Sequence, residues 1–142
     1  MTDDDLEQAR SALRTFMSDM KRWELGFYHE KLDAVKNGRD ATLIDNQGRK
    51  ELSEVLEKWS LQDKTNQGRL IDLGCSDPST YDPDSDIEGS AEFTDGDAIF
   101  TIHQKTGLQT ISRFTLNLES GAWKIKRKEF LNYKDKWQRS VL

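Results

Sequence analysis

The chain has 142 residues, with 21 basic and 26 acidic side chains and a net charge of −5 at pH 7. Aromatic residues make up 9% and prolines number only 2, so the chain can build a core and is not disordered throughout. The acidic balance disfavours general binding to nucleic-acid phosphates, and no apolar run approaches the roughly 20 residues a membrane span needs.

The opening MTDDDLEQ is acidic, unlike a secretory signal or a transit peptide. Thr2 with Asp5 three residues on predicts a capping box, and Asp3 and Asp4 suit the positive end of a helix. Apolar residues then recur at Leu6, Ala9, Leu13, Phe16, Met17, Met20, Trp23 and Phe27. Steps of three and four put them on one helical face. The pattern continues through Leu32 and Val35 to a stop at Asn37-Gly38, with Gly26 as a candidate bend. A second helix is expected over Arg49 to Ser60, with Leu52, Val55, Leu56 and Trp59 inward. Thr42-Leu43-Ile44 fits either a short strand or a helical turn.

The second half changes period from about 3.6 to 2. A first strand is expected at Arg69–Leu73, then a polar loop from Ser76 to Asp86 that holds both prolines. Four more strands follow at Ile87–Thr94, Asp97–Gln104, Leu108–Leu118 and Ala122–Leu131. Asp95-Gly96 is a tight-hairpin signal, and Lys105-Thr106-Gly107 and Ser120-Gly121 are the other turns. Strands joined by short turns form an antiparallel meander. The fold class expected is α+β, with N-terminal helices packed on a curved antiparallel sheet, in a single domain over residues 1–142.

Signatures of catalysis are scarce. The chain lacks a phosphate loop, a nucleophile elbow and a His-Glu-x-x-His motif. With His29 and His103 as the only histidines and Cys75 as the only cysteine, no metal site and no cofactor are expected. One cysteine cannot form an internal disulfide, which fits a reducing, cytoplasmic setting. Cys75 as a nucleophile with His103 as its base has no local signature behind it. The Asp77–Asp86 loop has a calcium-loop composition but lacks the central glycine and the closing glutamate. Lys124, Lys126 and Lys128 alternate along the last long strand and read as a solvated face rather than a nucleic-acid stripe.

Several segments together resemble a known family. They are Phe16-Met17, Met20 and Trp23-Glu24 in the first helix, then Pro78-Ser79-Thr80-Tyr81-Asp82-Pro83 and Asp86-Ile87. Ala98-Ile99-Phe100-Thr101, Ser112-Arg113-Phe114, Gly121-Ala122-Trp123-Lys124-Ile125-Lys126-Arg127-Lys128 and the terminal Lys136-Trp137 complete the set. In this order they resemble the nuclear transport factor 2-fold immunity proteins of bacterial polymorphic toxin systems. The resemblance spans about Ser11 to Leu142. It implies a nuclear transport factor 2-like cone and a cytoplasmic protein, not an enzyme, that binds and neutralises a cognate toxin domain. No catalytic residue carries over.

The expected partner contact rests on chemistry alone. An acidic loop of Asp77, Asp82, Asp84 and Asp86 around an exposed Tyr81 suits a basic toxin. The competing reading is a small-molecule enzyme or ligand-binding protein of the same superfold, such as an isomerase, dehydratase or cyclase. It would place Trp23, Asp72, His103 and Trp123 around a cavity, with Asp72 as base. A third reading pairs two copies of the chain through the open sheet face.

Overall fold

The computed structural model describes residues 2–105 and 107–142. Helix α1 spans Asp3–Lys36 and starts with the expected capping box. The Asp5 N–H donates to Thr2 Oγ1 at 3.2 Å, and the Thr2 N–H donates to Asp5 Oδ2 at 2.9 Å. The Thr2 N–H and hydroxyl, both donating to the Asp5 carboxylate, hold it below its ordinary pKa. The helix runs unbroken through Gly26 and stops where Gly38 takes a left-handed φ of 64°. Its apolar stripe from Ala9 to Phe27 is buried.

Helix α2 spans Thr42–Trp59 and begins seven residues before the expected Arg49. Thr42-Leu43-Ile44 is its first turn, helped by Asp40, whose side chain accepts from the Thr42 N–H and hydroxyl. The two helices close tightly at Gly48. A Cβ there would lie 2.6 Å from the Phe27 ring, while the Gly48 carbonyl accepts the Trp23 indole N–H at 2.8 Å. Leu52 and Leu56 face inward and are fully buried, and Val55 and Trp59 are partly buried against the same core.

Arg69–Leu73 does not form a strand. Arg69–Asp72 is a short helix, α3, closed by Leu73 in the left-handed region at φ 53°. Its N–H groups bond locally, Leu70 to the Gln67 carbonyl, Ile71 to Gly68 and Leu73 to Arg69. The strands are β1 Ile87–Thr94, β2 Asp97–His103, β3 Ile111–Glu119, β4 Ala122–Leu131 and β5 Trp137–Ser140. They pair in chain order as a five-stranded antiparallel sheet. Asp95 and Gly96 both have positive φ, as a primed hairpin turn requires. The Lys105–Gly107 turn includes Thr106, which lies outside the described residues. Strand β5 was not expected from the sequence. Lys136-Trp137 is polar by pattern, but its edge is completed by β4, and the Trp137 ring stacks on the Arg113 guanidinium at 4.3 Å.

One irregularity in β4 redirects its second half. Leu116 pairs with Ile125 and Thr115 pairs with Arg127, so Lys126 is an extra residue in the ladder. Such a bulge breaks strict alternation. Trp123 and Ile125 point inward before it, and Lys128 points inward after it. Lys124, Lys126 and Lys128 therefore do not share one solvated face. Lys126 reaches Asp97 at 3.3 Å, whereas Lys128 is 7% exposed.

Candidate functional site

Between α3 and β1 the chain forms the loop that carries most of the candidate residues. It is fastened from below by Glu24, a buried carboxylate on α1. Glu24 accepts from the Ser76 N–H at 2.9 Å and the Thr80 N–H at 2.8 Å. It also accepts from both hydroxyls and pairs with buried Arg69 at 3.2 Å. Arg69 in turn donates to Thr80 Oγ1, the Gly74 carbonyl and the main-chain oxygen of Leu142. Every charge here has a partner, as buried ions require.

The loop's acids are bound mainly within the molecule. Asp77 meets His29 Nε2 at 3.1 Å, and the Asp77–Pro78 peptide is cis. Asp82 accepts from Lys21 at 2.8 Å and from the Ser85 hydroxyl, which holds its carboxyl below the ordinary value. Asp86 caps the Asp82 N–H at 3.0 Å, and burial raises its pKa. Asp84 is the outward acid, its side chain 90% exposed and 3.6 Å from Lys21. Tyr81 is not exposed as expected. It is 2% exposed, packed edge-on to Phe16 at 5.4 Å and tilted against Phe114 at 6.1 Å. An aromatic ring in a tightly fastened loop finds the core before it finds a partner.

Behind Tyr81 lies a cavity of about 190 Å³ between α1, the loop and the sheet. Its walls include Met17, Thr80, Tyr81, Asp86, Gln104, Ser112, Phe114 and Lys128. The Lys128 ammonium sits 4.6 Å above the Tyr81 ring and 3.3 Å from its hydroxyl. Burial, reinforced by Arg69, pulls the Lys128 pKa down to about 7. The same burial pushes the Tyr81 hydroxyl above its ordinary value.

At the mouth, Gln104 donates to the Thr80 carbonyl at 2.8 Å and the Lys105 N–H reaches Asp86. The β2–β3 turn therefore joins the loop. Thr110 and Phe130 line both the cavity and an outer groove that includes Leu108 and Tyr133. Leu108 is 92% exposed and Tyr133 90%. The acidic loop, the cavity and two apolar turn residues thus meet at one end of the sheet.

None of the residues expected around a cavity lines this one. Trp23 is buried between the helices, stacked on Phe27 at 5.3 Å. Trp123 is buried in the core with its indole N–H unpartnered among the described residues. Asp72 is exposed on α3 and caps the Gly74 N–H at 3.0 Å. His103 is exposed at the end of β2, its ring over Gly89 at the β1 bulge. The Cys75 thiol is pushed up by burial and by Glu24, opposite to what a nucleophile needs. Among the described residues, no group of three or more His, Cys, Asp or Glu side chains is placed to hold a metal ion. No helix among them is long and apolar enough to cross a membrane. Lys128 and the exposed pair Leu108 and Tyr133 escaped sequence reasoning. Strict alternation puts Lys128 on the outward period of β4, and only the bulge at Lys126 turns it inward.

Comparison with known proteins agrees with this architecture. Residues 8–141 match the family model described as NTF2 fold immunity protein. The chain is 30% identical over 134 residues to Immunity protein RhsIA of Dickeya dadantii (strain 3937), covering 94% of this chain and 95% of that protein. No solved structure matches. With helices on a five-stranded antiparallel sheet and a family match over nearly its whole length, the chain belongs to the NTF2-fold immunity proteins.

Proposed function

We propose that this immunity protein neutralises one cognate toxin domain by tight non-covalent association, without turnover, in the cytoplasm. The contact surface is the end of the sheet where the 77–86 loop meets the β2–β3 turn, with the β4–β5 turn beside that turn. One observation carries the choice: Leu108 and Tyr133, 92% and 90% exposed, line one groove that shares Thr110 and Phe130 with the cavity behind the loop. Exposed large apolar side chains grouped at a cavity mouth fit a protein interface. Asp84 and the net charge of −5 favour approach to a basic partner. Asp77, Asp82 and Asp86 hold the loop, and Tyr81 supports it from inside.

The test is co-expression with the toxin domain encoded beside it, followed by calorimetry. The expected result is a one-to-one complex of nanomolar affinity. Tyr133→Ala and Leu108→Asp should each weaken it by about tenfold or more, as loss of a central contact does. Cell survival without a complex would sink the proposal. A dimer through the sheet face would appear in the same runs as a doubled mass of the free protein.

A second reading has the 190 Å³ cavity behind it, with Lys128 and Tyr81 in its wall. A small ligand could occupy it, as in enzymes of this superfold. Asp72 and His103, the expected base and partner, stand outside it. Thermal-shift screening of small molecules against the free protein separates this reading from the first.

A further inference from the structure

A buried ammonium has three hydrogens to satisfy. The hydrogen bond found for Lys128 Nζ is to the Tyr81 hydroxyl at 3.3 Å, and among the described residues it has no ion pair within 4.0 Å. Asp86 lines the same cavity, but its carboxylate is engaged by the backbone N–H groups of Asp82 and Lys105. The cavity beside Lys128 shares the walls Thr110 and Phe130 with the groove that holds Leu108 and Tyr133. A buried cation facing a cavity, with exposed apolar groups in the adjoining groove, matches a central anchor beside a water-excluding rim. A free carboxylate small enough for about 190 Å³ would leave that rim uncovered.

We infer that the cavity receives an acidic side chain of the toxin, whose carboxylate pairs with Lys128 while Leu108 and Tyr133 close over its stem. This rests on the toxin-binding reading above and names the anchor of that surface. The incoming carboxylate supplies a further acceptor and a counter-charge in direct contact with the amine. The ionisable groups around the amine are Asp86 and Tyr81 from the loop, Arg69 from α3 and Glu24 from α1. Glu24 and Arg69 are already paired with each other.

The experiment titrates the cognate toxin domain into the intact wild-type protein and into Lys128→Met, with Tyr133→Ala as the rim control. Met keeps the length of the side chain and removes the charge, so folding is preserved, which an unchanged or higher Tm verifies. Lys128→Met should weaken the complex by about 30-fold or more, the usual loss for one partner of a buried charged pair. Wild-type affinity should fall by up to about tenfold per pH unit above pH 7, while the Met variant stays flat. Two outcomes overturn the inference. One is a Met variant within threefold of wild type. The other is millimolar acetate raising the Tm of wild type but not of the variant, with toxin affinity unchanged, which assigns the pocket to a free carboxylate. Absence of toxin binding by wild type itself would instead defeat the toxin-binding reading.

Discussion

Two buried charged groups hold the chain around Tyr81, Glu24 at Thr80 and Lys128 at the Tyr81 ring, and they are built differently. Glu24 is saturated: its two oxygens accept from two backbone N–H groups, two hydroxyls and the Arg69 guanidinium. Lys128 faces a cavity with one hydroxyl as its hydrogen-bond partner. The first arrangement ties the loop to α1 and leaves nothing for a ligand. The second leaves donors unmet, which the fold tolerates by lowering the pKa of the amine. A satisfied buried ion is structural glue, whereas an unsatisfied one beside open space is a place for something to bind.

The contrast breaks most visibly at Glu24. Glu24→Ala strands Arg69 and four other donors in the interior, and chemical denaturation should show a loss of about 3–5 kcal/mol. A loss below about 1 kcal/mol would mean that water replaces the carboxylate and the cluster is not the fastening of the loop.

Lys128→Met should behave in the opposite sense, neutral or stabilising. Folding lowers the Lys128 pKa from 10.5 to about 7, so between those values the unfolded chain holds a proton that the folded chain has lost. Stability therefore rises with pH from about 7 upward, and the cost of the buried charge is fully present below 7. Above pH 10 the raised Tyr81 pKa works against this, because the unfolded chain then ionises first. The stability gain of Lys128→Met over wild type should be larger at pH 6.5 than at pH 9.5, by about 1 kcal/mol or more. Equal differences at both pH values would show that Lys128 is not desolvated.

The smallest effect belongs to the outer side of the loop. Asp84→Ala should change stability by less than about 0.5 kcal/mol, since the side chain is 90% exposed. Its effect on the toxin complex should lie in the association rate and fade at high salt. A large loss of stability would place Asp84 with the fastening acids.

Much of the architecture was legible because local rules carried it. The Thr2–Asp5 box, the apolar stripe from Ala9 to Phe27, the stop at Gly38 and the Asp95-Gly96 hairpin each depend on residues a few positions apart. Strands β1 and β4 sit on their expected bounds for the same reason. The early start of α2 was missed although its cause, Asp40 receiving the Thr42 N–H, is local, whereas other misses depend on distant pairing. Arg69–Asp72 is helical where a strand was expected, and β5 formed because β4 offered an edge.

The site divides along the same line. The acids of the 77–86 loop were visible as a run, but whether each faces Lys21, a backbone N–H or solvent depends on α1 and β2. Tyr81 looked exposed among acids and is core, because Glu24 pulls its loop onto α1. Lys128 looked solvated, because alternation holds only while the ladder is regular. The extra residue at Lys126 is set by how β3 and β4 register, and it turns the next lysine into the cavity. Composition and short-range pattern thus determined the helices, the hairpins and the family resemblance. Only the packed sheet decided which charge is buried with no ion pair in contact among the described residues, because burial is a property of contacts made across the whole chain.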